Sequence, residues 1–288
     1  MGKQLIITVG REFGSGGHII AVKLAEHFGI QLLDSNILAE VAKKSNAREE
    51  YLKKYDESAR NLFFSRTVNG FSNSPEEIIA QMRELISMLP SNYEDNSAYV
   101  ECTDDLNRIC PELENCVGDT SIALSQIADD NQFFEVKAEY AKDMVTGFIR
   151  LNGATVGCVA NRSEIYNEEG EKTDSFDNVL SARGCKKAAE FVKFCDAFEI
   201  PVLTLTNVKG YKATKCSEAN MARNAAELTS AFISATVPKV NVVIGQAFGS
   251  AYLTMNSKST GADMVFAWPS AQIGMMDAKL AAKIMYAD

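Results

Sequence analysis

The stretch Lys239–Ser257, KVNVVIGQAFGSAYLTMNS, is suited to chemistry done by the main chain rather than by side chains. Val240 to Ile244 is a β-branched run framed by Pro238 and Gly245, which predicts a buried strand. Gly245-Gln246-Ala247-Phe248 reads as a turn, and Gly249-Ser250-Ala251 opens a helix that continues to Met255. A strand feeding a helix through small residues leaves free N–H groups at the helix N-terminus. Such donors favour a ligand that carries or develops negative charge, as in an oxyanion hole. An ordinary tight strand–helix connection has the same signature. A serine-hydrolase elbow does not fit, because Phe248 and Tyr252 stand where G-x-S-x-G needs glycines around Ser250. The two histidines, His18 and His27, lie far upstream, so no Ser-His pair is expected.

The 288 residues suffice for one large domain or two small ones, and 46% hydrophobic with 23% charged residues is ordinary for a globular chain. A net charge of −9 argues against a general nucleic-acid binder. Seven cysteines, an odd number with no C-x-x-C pair, point to buried or inert thiols in a reducing, cytoplasmic setting and to no structural metal. No apolar run reaches membrane-spanning length, and the start MGKQLIITVGRE is charged too soon for a signal peptide.

Several elements must position the Gly249 region. At the N-terminus Leu5–Val9 reads as a strand, Gly10–Gly17 as a glycine-rich loop, and Ile19 to Phe28 as an amphipathic helix ended by Gly29. Ile30–Leu33 is a second short strand. Residues 66–78 form a turn-rich junction, and Ser74-Pro75-Glu76-Glu77 starts a helix that runs to Pro90. A further helix passes through Ile122, Leu124, Ile127 and Ala128. Val145–Leu151 and Thr155–Ala160 read as strands joined by an Asn152-Gly153 turn, followed by a polar loop over 162–177. Ala182–Ala197 is a predicted helix, Pro201–Leu205 a strand, Asn207–Thr214 a loop, Ala219–Ala235 a helix and Met264–Ala267 a strand. Alternation of this kind implies an α/β domain with mostly parallel strands.

Residues 4–45, with Gly14, Ser15, Gly16 and Gly17 in a REFGSGG segment, resemble the start of cytidylate-kinase-like proteins. Gly17 and His18 occupy the places of the lysine and hydroxyl residue in the phosphate loop, so nucleotide binding by residues 1–65 is expected to be weak or absent. Three later segments, Gly153–Asn161, Lys187–Gly210 and Ala235–Gly274, resemble in order and spacing the carboxyltransferase subunits of biotin-dependent acyl-CoA carboxylases and decarboxylases. That resemblance covers about residues 79–288 and implies a crotonase-like spiral of ββα units. It matches the half of the family that receives carboxybiotin. The acyl-CoA half, with a second oxyanion hole, would come from another polypeptide.

The resemblance further implies that Gly249, Ser250 and Ala251 form the catalytic segment, with the paired main-chain amides of Ser250 and Ala251 at the biotin ureido oxygen and serine where the family usually has the middle glycine of G-G-A. Gly210, Tyr211, Phe248 and Tyr252 fall at the biotin pocket, and Leu253 at a position that helps select the acyl chain. Lys209, Lys212 and Lys215 read either as contacts for coenzyme A phosphates or as a solvated basic loop. Gln246 and Asn256 either bind substrate or satisfy local backbone. The implied partners are a biotin carboxyl carrier protein, an acyl-CoA and further subunits of an oligomer. Carboxyl transfer to a short acyl-CoA is the leading expectation. The alternatives are decarboxylation of a malonyl-type thioester, a nucleotide-binding activity of the N-terminal fragment, and a non-catalytic assembly role.

Overall fold

From residue 133 onward strand-forming and helix-forming runs alternate, and the computed structural model places them in one mixed sheet with its crossover helices. It describes residues 7, 9, 17–30, 32, 75–94, 99–102, 104–105, 107–110, 113–167 and 170–286. The chain divides into two compact units, Met1–Glu84 and Leu85–Asp288.

In the first unit α1 (Gly17–Phe28) buries Ile20 and Leu24 against Ile79 of α2 (Pro75–Met88). Gly29 ends α1 at φ +62°, the left-handed conformation expected of a glycine C-cap. Most of the expected strands at 5–9 and 30–33, and the loop residues Gly14, Ser15 and Gly16, lie outside the described residues, while Gly17 is the first residue of α1.

The second unit opens with a 3-10 turn (Leu113–Val117) and α3 (Thr120–Ile127). Its seven-stranded sheet runs β1 (Phe133–Glu135), β2 (Met144–Leu151), β3 (Ala154–Asn161), β7 (Val202–Val208), β9 (Lys239–Phe248) and β10 (Met264–Ala267). The seventh strand, β11 (Gln272–Gly274), also pairs with β9. β1, β2 and β3 are antiparallel neighbours, and β3, β7, β9 and β10 run parallel. The β2–β3 hairpin turns through Asn152 (φ +52°) and Gly153 (φ +77°), whose N–H groups both donate to Asp129. The crossovers are α4 (Ala182–Ala197) and α5 (Lys215–Ser234). Ser181 caps α4 by accepting from Gly184 N–H at 3.0 Å, and Thr214 and Ser217 form a capping box on α5.

Alternation in the strands loads both faces of the sheet. Met144, Phe148, Val159, Val202 and Val208 pack with Cys185, Ala188, Val192 and Cys195 of α4 and Leu228 and Phe232 of α5. Val145, Ile149, Cys158, Ala160, Leu205 and Ile244 face the other way onto Leu124 and Ala128.

Several expectations are corrected. The polar loop at 162–177 contains a hairpin, β4 (Glu164–Tyr166) with β5 (Lys172–Ser175), and β5 is exposed throughout and carries no apolar period. β7 extends three residues past Leu205 to Val208, so Asn207 belongs to a strand, and β8 (Gly210–Tyr211) follows and pairs with β6 (Val179–Leu180). The expected turn Gly245–Phe248 is the last part of β9, because β11 supplies its partner at Gln246, Ala247 and Phe248. Helix α5 begins at Lys215, four residues earlier than expected, where the capping box starts it.

Candidate functional site

β9 is paired along its length by two strands in succession, β10 opposite Val240–Val243 and β11 opposite Gln246–Phe248. It then passes directly into α6 (Gly249–Thr254). Gly249 makes the corner at φ +58°, and a Cβ there would lie 3.1 Å from the Met275 carbonyl oxygen. Both the conformation and the close approach call for glycine. Phe248 provides no side-chain cap, and Ser250 and Ala251 fall in the first turn of α6, where N–H groups have no intrahelical acceptor. β9 thus delivers Gly249, Ser250 and Ala251 as the first turn of a helix.

These residues open on a cavity of about 500 Å³. Gly210, Tyr211, Phe248, Gly249, Ser250 and Ala251 all line it, so six positions chosen from sequence converge. β11 delivers Met275, Met276 and Asp277 to the same cavity, and α7 (Ala278–Met285) adds Leu280. Asp277 is occupied as the cap of α7, accepting from Lys279 and Leu280 N–H. None of the lining side chains is a histidine or a cysteine.

Tyr211 acts on the site through its hydroxyl. It donates to the Ser250 carbonyl oxygen at 3.0 Å and lies 2.7 Å from Thr254 Oγ1. The ring thus borders the cavity while its hydroxyl ties α6 to the β8 strand. Tyr252 does not line the cavity; it packs, half-buried, on the core of the second unit, and burial raises its phenol pKa. Leu253 is 42% exposed and also lies outside the cavity lining. Lys209 lines the cavity and pairs with Asp177 at 3.5 Å, while Lys212 and Lys215 are exposed.

The two amide residues left open by sequence now separate. Asn256 is fully buried outside the cavity lining and donates to Thr204 Oγ1 and the Val240 carbonyl, while its Oδ1 has no partner among the described residues. Gln246 gives its main-chain N–H to Asn207 Oδ1 at 2.9 Å and lines the cavity. Met275, Met276, Asp277 and Leu280 were missed by sequence reasoning. The amphipathic run at Leu280, Ala281 and Ile284 was the available signal for α7.

Burial holds the Cys158, Cys185 and Cys195 thiols up, Cys185 to about 12, so these three are unreactive core groups. Among the described residues no cluster of three His, Cys, Asp or Glu could hold a metal ion, and no helix is long and apolar enough to cross a membrane.

Residues 65–288 match the carboxyl transferase domain family. The propionyl-CoA carboxylase beta chain of Roseobacter denitrificans is 38% identical over 218 residues, which cover 73% of this chain and 41% of the relative. The mitochondrial propionyl-CoA carboxylase beta chain of Rattus norvegicus is 36% identical over 218 residues, covering 73% and 38%. The structure of transcarboxylase 12S, described as a hexamer assembly with methylmalonyl-coenzyme A and methylmalonic acid bound, superimposes with a TM-score of 0.66 at 34% identity. That match covers 75% of this chain and 42% of the transcarboxylase chain. The sheet and its crossover helices are thus a crotonase-like α/β fold. This chain belongs to the carboxyl transferase domain family. It spans between 38% and 41% of the length of these two carboxylase relatives.

Proposed function

We propose that this chain is the carboxybiotin-binding half of a biotin-dependent acyl-CoA carboxyltransferase, acting on a short acyl-CoA. The observation that carries the reading is that Ser250 and Ala251, in the first turn of α6 where N–H groups have no intrahelical acceptor, line the Tyr211 cavity. Family membership supplies the class of reaction.

The residues present fit a biotin head group. The cavity offers fixed donors at one wall and apolar or aromatic surface from Tyr211, Phe248, Met275 and Leu280 around them. Biotin, brought by its carrier protein, supplies the carboxyl group and then a ureido group bearing negative charge. Ser250 and Ala251 N–H hold that oxygen with dipoles already oriented, so little reorganisation accompanies the reaction. Tyr211 keeps the donors in place through the Ser250 carbonyl. The charge is met by main chain, which agrees with the absence of histidine from residues 85–288. The acyl-CoA half and the carrier protein are partners in this reading, and the assembly is an oligomer. The odd cysteine count supports a reducing, cytoplasmic setting.

The test is carboxyl transfer by the full chain reconstituted with a first-half carboxyltransferase partner, using biotinylated carrier protein and propionyl-CoA. Ser250→Trp fills the cavity mouth and is expected to cost at least the roughly 10²–10³-fold typical of losing an oxyanion donor. Its unfolding midpoint is expected to hold, since Ser250 is exposed. Transfer unchanged by Ser250→Trp sinks the site, and no transfer by any reconstituted wild-type complex sinks the function.

A further inference from the structure

We infer that Asn161 and Asn207 are positioning residues, a buried side-chain ladder that aims the end of β9 so that the Ser250 and Ala251 N–H groups face the cavity. The inference rests on the carboxyltransferase reading for its purpose, and on hydrogen-bond geometry for its substance.

The ladder starts where the sheet loses its register. β7 and β9 pair one for one from Val202 and Lys239 to Thr206 and Val243, and the next pair is Val208 with Ala247. Ile244, Gly245 and Gln246 therefore stand opposite the single residue Asn207, a bulge that bends the strand and takes N–H groups out of the regular ladder. Asn207 Oδ1 accepts the Gln246 N–H at 2.9 Å. A Cβ on Gly245 would come within 2.6 Å of that same oxygen, so the contact requires glycine.

Asn207 is itself held from the far side. Its N–H donates to Asn161 Oδ1 at 2.8 Å, and its carbonyl accepts from Asn161 Nδ2. One asparagine on β3 thus grips the main chain of β7, and the asparagine it grips reaches β9. Asn161 and Asn207 are 2% and 5% exposed, so their amides give up nearly all contact with water. Central strands of a parallel sheet are normally filled with aliphatic side chains, which avoid that cost.

The downstream end of α6 is tied in the same manner. Asn241 Nδ2 donates to the Met255 carbonyl at 3.0 Å, while Asn241 Oδ1 accepts from Thr206 at 2.8 Å. The helix is six residues long, and most of such a short element's orientation must come from these ties. Asn207 holds β9 at Gln246, three residues before the Gly249 corner. Misplacing reacting groups by about 1 Å can cost roughly 10²-fold in rate.

The experiment uses the full chain with its first-half partner and two replacements at one site. Asn207→Leu removes the oxygen that holds Gln246, and Asn207→Asp keeps an oxygen there. The inference expects Asn207→Leu to shift the Ser250 and Ala251 amide resonances in nitrogen-15 spectra. It expects kcat for carboxyl transfer to drop roughly 10²-fold with KM for propionyl-CoA held. Asn207→Asp is expected to restore both toward wild type. Unmoved resonances in Asn207→Leu, or a loss of kcat that Asn207→Asp does not recover, overturn it. Should Asn207→Leu fail to fold, Asn161→Asp keeps the acceptor for Asn207 N–H and loses the donor to its carbonyl, and is read by the same two signals. Should wild type transfer no carboxyl while the resonances move as stated, the carboxyltransferase reading falls and the ladder stands.

Discussion

The hydroxyl of Tyr211 donates 3.0 Å to the carbonyl oxygen of Ser250, linking a two-residue strand to the first turn of the helix whose amides border the cavity. Ser250, whose carbonyl accepts this bond, also lines the cavity. Tyr211→Phe removes the tie and leaves the ring. A net cost of about 0.5–1.5 kcal/mol is expected for one hydrogen bond of this kind. Carboxyl transfer should fall by more than that stability loss explains, because the donors lose their orientation. Urea unfolding beside kcat measurement checks both parts.

Gly249 sits at φ +58° with Met275 O placed 3.1 Å from where a Cβ would stand. Gly249→Ala is expected to destabilise by about 1–2 kcal/mol from the left-handed conformation alone. Relief by moving away from Met275 would displace Ser250, so transfer should suffer as well. By contrast, Gly210→Ala meets nothing within 4 Å of the new Cβ and should leave folding nearly unchanged. Comparing the two melting curves tests the assignment of strain to the corner.

What was legible in the sequence follows the range of the forces involved. The Asn152-Gly153 hairpin and the helix at 182–197 were read from local signals, a left-handed turn pair and an apolar stripe. The entry to α6 at Gly249 was read from small residues after a β-branched run. The continuation of β9 through Gln246–Phe248 was not, because its partner β11 lies 26 residues further along the chain. The β4–β5 hairpin escaped because Lys172–Ser175 is exposed on both faces and so shows no period. Six cavity residues were reached through family resemblance, whereas the bonds from Tyr211 to Ser250 and from Asn207 to Gln246 span 39 residues each and leave no local trace.

Asp119 holds several groups at once. Its carboxylate accepts from Ser121 N–H and Ser121 Oγ at the start of α3, and from Tyr166 N–H at 3.1 Å. It also lies 3.9 Å from the guanidinium of Arg162, with both side chains at most 5% exposed. Arg162 retains Glu135 at 3.3 Å when Asp119 is removed. Asp119→Ala should therefore cost about 3 kcal/mol, the low end for breaking a buried ion pair. Asp119→Asn, which keeps a capping oxygen, should cost less. Chemical denaturation of the two variants ranks them.

Lys187 gives the chain a titration of its own. The side chain is 1% exposed, and its ammonium donates to the Met144 carbonyl at 2.7 Å. Burial pulls its pKa down to about 8 from 10.5, partly opposed by the negative charge of Glu135. Between those two values the unfolded chain holds the proton and the folded chain has released it. Stability linked to this group therefore rises as pH climbs from about 8 toward 10.5, and below 8 the buried charge is a standing cost. Glu135 moves oppositely: burial raises its pKa, so its contribution weakens as pH rises through and above 4.5. Lys187→Met removes the amine at similar length. The unfolding free energy of wild type minus that of Lys187→Met is expected to increase steadily between pH 8 and 10. A difference that stays flat over that range, measured by urea unfolding at each pH, assigns the ordinary lysine pKa to Lys187 and removes the burial argument.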